Sequence, residues 1–481
     1  MTEQTQHPTN DFTLNIGDIL TLTPTAIAHG GALVARHNGR VIFVRHGVIG
    51  ETAQARITGK GPKGKFFFAD TIAVENPAPE RRQHPWELAD PLNPRHTHPV
   101  GGMEFGHLTP ATQRNYKQHI ITEQLNRLGK IPATHPVLQQ LTVEELPGGE
   151  LGTRTRIHCE ITPQGDIAMH PHQSNTLIPV QSLPLATAAI NQLHLEQLKL
   201  RHISRIDVAE SSTGEIALTF TVKAPHTPQE VSQEITEQCT RQWGELSHQN
   251  VSLIFTAERQ SGRARGERPR DVVQGTEVLT EQVETSQGTF TFGVSPSGFW
   301  QNHQYAPQTL LENVREFAAI QPGEKVYDLY AGAGLFTALA AHEVGENGYV
   351  LSVEGATVTH RNARENFAAG GVSRTAQSER TVVKVVRGDV GRVLAKLGNN
   401  VPKPDVVILD PAREGAGRVV MEKLDELNPS RIVYVACDPA ALGRDTGYLR
   451  ELGWELDKVV GLDMYPNTHH VETIARFVRS S

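Results

Sequence analysis

Residues 324–345, EKVYDLYAGAGLFTALAAHEVG, decide the fold. A short apolar run, a turn bearing two glycines and an alanine- and leucine-rich helical stretch make the strand–loop–helix unit of a doubly wound α/β sheet. Gly332 and Gly334 give that turn bare backbone, which a tight bend and the close approach of a ligand both require. The next apolar strand, YVLSVEG, ends on Glu354, 22 residues beyond Gly332. At that spacing a carboxylate accepts both hydroxyls of a nucleoside ribose. The dinucleotide fingerprint GxGxxG is not completed, because position 337 is Thr. The expected ligand is therefore an adenosine without a pyrophosphate, namely S-adenosylmethionine.

Moving toward the C-terminus, two more strands end at candidate reactive groups. PDVVILDPAREGAG places Asp410-Pro411 at the mouth of one, and RIVYVACDPAALGRD places Cys437 at the mouth of the next. GLDMYPNTHHVETIARFV then sets Glu472 ahead of a closing strand. In an open α/β sheet the loops at the carboxyl edge form the ligand crevice. A free cysteine is most often a small buried hydrophobe; what sets Cys437 apart is that two carboxylates share its sheet edge. His469 and His470 adjoin Glu472, but their spacing singles out neither as a ligand.

Toward the N-terminus the pattern changes. At 481 residues the chain exceeds one core, and two or three domains are expected. From Phe12 to about Glu75 apolar and polar residues alternate, and ALVARHNGRVIFV holds Asn38-Gly39 between two strand-like runs, a two-residue hairpin signal. Short strands punctuated by Gly and Pro suggest a small closed barrel of the OB type. Arg56, Lys60, Lys63 and Lys65 stand beside Phe66, Phe67 and Phe68, a pairing of cations and aromatic faces that suits single-stranded nucleic acid, although alternate residues of the phenylalanine run must enter the core. Residues 76–98 have the composition of a linker. TPATQRNYKQHIITEQLNRLG predicts a helix capped by Thr109, begun by Pro110 and stopped by Gly129, burying Tyr116, Ile120, Ile121, Leu125 and Leu128. Strand-like TRTRIHCEI, IALTFTV and VSLIFTA, with a helix over 228–246, predict an α+β middle domain. Its RQSGRARGERPRD carries Arg259, Arg263, Arg265, Arg268 and Arg270, planar donors that suit RNA phosphates.

Taken together, AHGGALVARHNGRVIFVRHGVIGE, GFWQN, DLYAGAGLFT, VEG, LDPAREG, VACDPAALGRD and DMYPNTHHVE resemble the S-adenosylmethionine-dependent RNA uracil-5-methyltransferases, in the branch with an N-terminal TRAM domain associated with 23S ribosomal RNA. The resemblance spans nearly the whole chain. It implies an α/β protein with a TRAM OB-like barrel over 10–76, a central α+β RNA-binding domain over 77–290 and a Rossmann-like methyltransferase domain over 291–481. It further implies that Gln301, Tyr330, Glu354 and Asp410 contact or shape the donor site, that Cys437 is the nucleophile and that Glu472 is the base. Relatives with a four-cysteine iron–sulfur site cluster three ligands between barrel and first helix. Here RRQHPWELADPLNPRHTHPVGGMEFGHL has no cysteine, so thiolates cannot build that cluster. His84, His96, His98 and His107 fall in this stretch without a spacing that fixes a ligand geometry, and no metal is expected.

The implied partner is RNA, ribosomal or transfer. Net charge −7 argues mildly against indiscriminate nucleic-acid binding, but a local basic face suffices to contact phosphates. Two rivals stay open at this point. Amino-group methyltransferases use the same sheet, commonly with an Asn/Asp-Pro-Pro-aromatic motif, whereas here Ala412 and Arg413 follow Asp410-Pro411. A noncatalytic RNA-binding protein would leave Cys437 and Glu472 idle. The polar start MTEQTQHPTND, the lack of any apolar run near 20 residues, and three scattered cysteines lead us to expect a reducing cytoplasm. The expected state is a monomer, which these features do not themselves decide.

Overall fold

The computed structural model describes residues 14–95, 98–244, 250–258, 270–368, 382–398 and 400–480. Arg259, Arg263, Arg265, Arg268 and His96 lie outside them. The chain divides into two units, Met1–Tyr116 with Asn467–His469, and Lys117–Pro466 with His470–Ser481. These divisions do not fall at the expected 76/77 and 290/291 boundaries.

The second unit is built on an eight-stranded sheet. Its order is Val382–Arg387, Tyr349–Glu354, Lys325–Leu329, Val406–Leu409, Arg431–Ala436, Glu472–Arg479, Trp454–Asp463 and Val143–Glu145. The first five strands are parallel, and Glu472–Arg479 runs antiparallel to both neighbours. Strand order reverses between Lys325–Leu329 and Val406–Leu409, so the crevice opens there. Valines, leucines and isoleucines on both faces are fully buried, as parallel strands covered by helices require. The eighth strand, Val143–Glu145, comes from the segment assigned above to a central domain; it adds to the far edge by pairing with Gly461–Asp463. The predicted helix spans Pro110–Arg127, with Thr109 accepting from the amide of Thr112, and its Ile121 and Leu125 pack on this sheet. Leu128 is only half-buried.

A seven-stranded sheet in the same unit contains the three predicted strands, Arg156–Ile161, Ile216–Val222 and Val251–Ala257. Helix Pro228–Trp243 begins at a capping box between Thr227 and Glu230. No helix among the described residues is long and apolar enough to cross a membrane.

The first unit contains a six-stranded sheet. Asn38 and Gly39 both take positive φ, 49° and 78°, and join the paired strands Leu33–His37 and Arg40–Arg45 as the dipeptide predicts. Alternate residues of this single sheet fill one core that includes Ala35, Ile42, Ile57 and Phe67, which requires the sheet to wrap on itself. Three bulges between Thr52–Lys60 and Phe66–Asn76 supply curvature. Of the phenylalanine run, Phe67 is core, Phe66 is half-buried and Phe68 is 45% exposed. The rings of Phe43, Phe66 and Phe68 meet at 5.5–5.9 Å, and Arg56, Lys60, Lys63 and Lys65 are exposed.

The expected linker over 76–98 is not a free connector. Arg81 pairs with buried Glu51, Arg82 donates to the Gly106 carbonyl at 2.9 Å, and Trp86 and Ala89 are buried. Its Pro, His and Arg content conceals this because the ties run from single side chains to distant carboxylate and backbone groups, without a period. Both ring nitrogens of His84 are occupied by backbone, the amide of Trp86 and the carbonyl of Met103, while His107 bonds the Gly47 carbonyl.

Candidate active site

A cavity of about 880 Å³ opens at the carboxyl edge of the parallel sheet, where the strand order reverses. Four neighbouring strands deliver Glu354, Tyr330, Asp410 and Cys437 to its wall from their carboxyl ends. Glu472 arrives from the opposite direction, as the first residue of the antiparallel strand. Gln301 enters from the loop after Gly288–Val294, in which Trp300 is buried against Phe292 at 5.2 Å. Of the expected site residues, Gln301, Tyr330, Gly332, Glu354, Asp410, Cys437 and Glu472 line this one cavity.

Gly334 does not line the cavity. A Cβ on Gly334 would meet Phe367 at 2.3 Å, with φ at +102°, so this glycine admits a phenylalanine rather than a ligand. Gly332, at φ +59°, has open space where a Cβ would stand and borders the cavity. Its amide donates to Glu354 at 2.8 Å, while the amide of Ala356 donates to the other carboxylate oxygen at 2.6 Å. Glu354 is thereby held in one orientation. Tyr330 turns the strand into the glycine loop with a left-handed backbone (φ 64°), which a bulky residue seldom adopts outside functional sites. Thr337, where the dinucleotide fingerprint would place glycine, donates to Asp328 at 2.5 Å and lies 3.0 Å from the Ser352 hydroxyl.

Strand register explains how Cys437 meets Glu472. Ala436 pairs with Thr473, and the antiparallel ladder continued by one step sets Cys437 across from Glu472. Residues directly opposite have Cβ atoms roughly 4.5–5.5 Å apart. Cys437 is also the one cysteine of the three that is not buried.

The charges around it are one-sided. Burial, then Glu472 and Asp410, push the Cys437 thiol up to about 12, with Arg413 pulling the other way. Burial and then Asp410 hold Glu472 well above the usual carboxyl range. Burial, then Asp328 and Glu354, raise Asp410 to about 7. Asp328 also stands near 7, raised by burial and by Glu354 against the Thr337 hydrogen bond. Such a cluster favours a cationic occupant, since a positive charge among carboxyls restores their ionised forms. The apolar wall of Leu335, Phe336 and Val358 suits a purine, and Glu354 suits ribose hydroxyls, so these residues fit S-adenosylmethionine.

Residues missed by sequence reasoning include Asp328, Phe299, Tyr465 and His470. The last three line the cavity, and Phe299 is 58% exposed at its rim. Tyr465 is steadied through its carbonyl, which accepts from the fully buried Lys117 at 3.0 Å while Lys117 pairs with Asp463. An acid just ahead of a glycine loop was a legible signal for Asp328; Phe299, Tyr465 and His470 lie within GFWQN and DMYPNTHHVE, but their spacing gave none of them a role.

An open parallel sheet with an antiparallel closing strand and a nucleoside-sized cavity at its carboxyl edge defines the Rossmann-like methyltransferase class. Residues 156–479 match the model of the tRNA (uracil-5-)-methyltransferase family. The chain belongs to that family, and it is an S-adenosylmethionine-dependent RNA (uracil-5-)-methyltransferase. It is 31% identical to an uncharacterized RNA methyltransferase of Bifidobacterium longum (strain NCC 2705), over 94% of this chain and 95% of that one. It is 28% identical to a 23S rRNA (uracil(1939)-C(5))-methyltransferase of Shewanella sp. (strain ANA-3), over 93% of each. In fold it is similar to the Pyrococcus abyssi tRNA (uracil-54, C5)-methyltransferase solved with S-adenosyl-L-homocysteine, with a TM-score of 0.66 and 20% identity over 95% of this chain and 100% of that one.

Proposed function

We propose that this chain methylates carbon 5 of a uridine in 23S ribosomal RNA, as a monomer, through a covalent adduct between Cys437 and carbon 6. The observation that carries the mechanism is the meeting of Cys437 and Glu472, across one ladder step, inside the cavity that also holds the donor-type residues. For the ribosomal substrate, support comes from the likeness to the Shewanella enzyme over 93% of both chains and from the aromatic and basic face of the N-terminal sheet.

Gln301, Tyr330, Gly332, Glu354 and Asp410 would hold the donor. When bound, S-adenosylmethionine supplies the methyl group that carbon 5 accepts. The Cys437 sulfur adds to carbon 6 as its proton leaves, and the electron pair of the 5,6 double bond makes carbon 5 nucleophilic. Glu472, as carboxylate, then removes the carbon 5 proton, the S–C6 bond breaks and the double bond returns. Cys437 regains a proton, so one proton is released per turnover. The uracil must leave its stack to reach so enclosed a cysteine.

Mapping 5-methyluridine in 23S ribosomal and transfer RNA from cells with and without this protein tests the substrate. Loss of one ribosomal site is expected. Loss confined to transfer RNA would transfer the assignment to that substrate, as the family model and the Pyrococcus enzyme are named for it.

A further inference from the structure

A second cavity, of about 600 Å³, lies at the outer edge of the same sheet, between strand Val382–Arg387 and helix Val390–Ala395. Its floor is apolar, formed by Leu351, Val386, Val393 and Leu397. Its rim carries Lys384, Arg387, Arg392 and Lys396, all exposed. One carboxylate, Asp389, lines it, already engaged in capping the helix through the amide of Arg392 at 3.0 Å.

Charge pairing sets these four apart from six cations elsewhere on this sheet and its helices. Arg315, Arg418, Lys423, Arg431, Lys458 and Arg479 each face a carboxylate at 2.6–3.1 Å. Among the described residues, none of the four rim cations has such a partner; Arg387 donates only to the Thr357 hydroxyl. On a chain of net charge −7, four uncompensated cations around one concavity form a local field of the opposite sign. The rim begins at the sheet's carboxyl edge, where the Gly388 amide donates to the Glu354 carbonyl at 3.0 Å. Cys437 ends the strand four places along. At about 4.8 Å per strand, the two lie roughly 19 Å apart along the sheet.

We propose that this cavity is an RNA subsite, in which backbone phosphates of the substrate strand flanking the target uridine lie against Lys384, Arg387, Arg392 and Lys396 while a sugar or base edge rests on the apolar floor. The inference rests on the chain's action on RNA. A target base held in the acidic cavity must be presented by a polyanion that the acids around it repel, and a cationic hold a short run of nucleotides away offsets that repulsion. Phosphate contacts position a strand without reading its sequence.

The test neutralises Lys384, Arg392 and Lys396 together as K384Q/R392Q/K396Q, leaving Arg387 because it touches Thr357 at the donor cavity. A control, R418Q/K423Q/K458Q, removes the same net charge from paired positions. Filter binding of transcribed 23S ribosomal RNA and of unmodified transfer RNA is measured against salt, with methylation of both RNAs by the native chain. For the bound RNA the rim variant's log–log salt slope should fall by about 2, at ~0.7 per single-strand contact, so raising salt from about 50 to about 200 mM weakens it roughly 20-fold less than the native chain. KM for RNA should rise, with kcat at saturating RNA and donor affinity unchanged. An unchanged slope, or an equal change in the control, overturns the subsite while the methyltransferase reading stands. A native chain that methylates neither RNA overturns both.

Discussion

Two cavities share one parallel sheet, and their chemistry is opposite. The central one is deep, and its walls concentrate Asp410, Glu354 and Glu472 with Asp328 close behind. The outer one is shallow and cationic. Depth decides how charge behaves in each. In the central cavity burial penalises ionisation, so Asp410, Glu472 and the Cys437 thiol are pushed toward their neutral forms until a cation enters. At the outer edge water already solvates the cations, which keeps them available for a polyanion but makes their effect salt-sensitive. One sheet thus separates the chemistry, which needs low dielectric, from the hold on the substrate, which does not.

The largest effects should come from the central cavity's reactive pair. Cys437→Ala should abolish both product and adduct, because no other side chain supplies the atom that adds to carbon 6. Glu472→Gln should slow turnover about 100- to 10,000-fold, the usual loss on removing a general base. Addition and methylation still proceed in that variant, so it should accumulate as a protein–RNA species that survives denaturing electrophoresis. The double variant should not trap. An undiminished adduct without Cys437 would mean that another residue attacks.

The two glycines of the loop should differ in kind. Gly334→Ala drives a methyl group into Phe367 in a backbone conformation that alanine resists, and should cost about 1–3 kcal/mol in urea unfolding. Gly332→Ala meets no atom but borders the cavity, so it should raise donor KM with a smaller stability loss of about 1 kcal/mol. Equal stability losses would refute the division of labour between them.

The smallest effect concerns pH. Asp328 and Asp410 have folded values raised to about 7, above their unfolded ones, so the ligand-free fold binds more protons than the unfolded chain between about pH 4 and 7. Their contribution to stability is therefore lost as pH rises through that window. A sulfonium entering the ionised cluster recovers it. The affinity of S-adenosylmethionine relative to S-adenosylhomocysteine, which lacks that charge, should rise between about pH 6 and 8, by at most tenfold per pH unit for each coupled proton. Calorimetric titrations showing a flat ratio would sever the link between the carboxyl cluster and the donor.

The sequence by itself determined the local pieces. Val326–Leu329, Gly332 and Glu354 announce a nucleoside-binding α/β sheet, Asn38-Gly39 a hairpin, and Thr109-Pro110 a helix start, because each depends on neighbours within a few residues or one strand–loop–helix unit. Cys437 was legible as a cysteine at a strand end and Glu472 as a carboxylate ahead of the closing strand, but their roles as nucleophile and base came only through resemblance. Tertiary structure alone decided the rest. The step that sets Cys437 opposite Glu472 depends on the register of two strands separated by a helix and a third strand. Gly334 serves packing because Phe367 arrives there from another helix, and Tyr465 is held through Lys117, nearly 350 residues earlier. Val143–Glu145 joins the catalytic sheet and residues 76–95 are tied down without any periodic pattern. Periodicity reports which face of an element is apolar; it does not report which distant element covers that face, because long-range pairing depends on how the whole chain closes its loops.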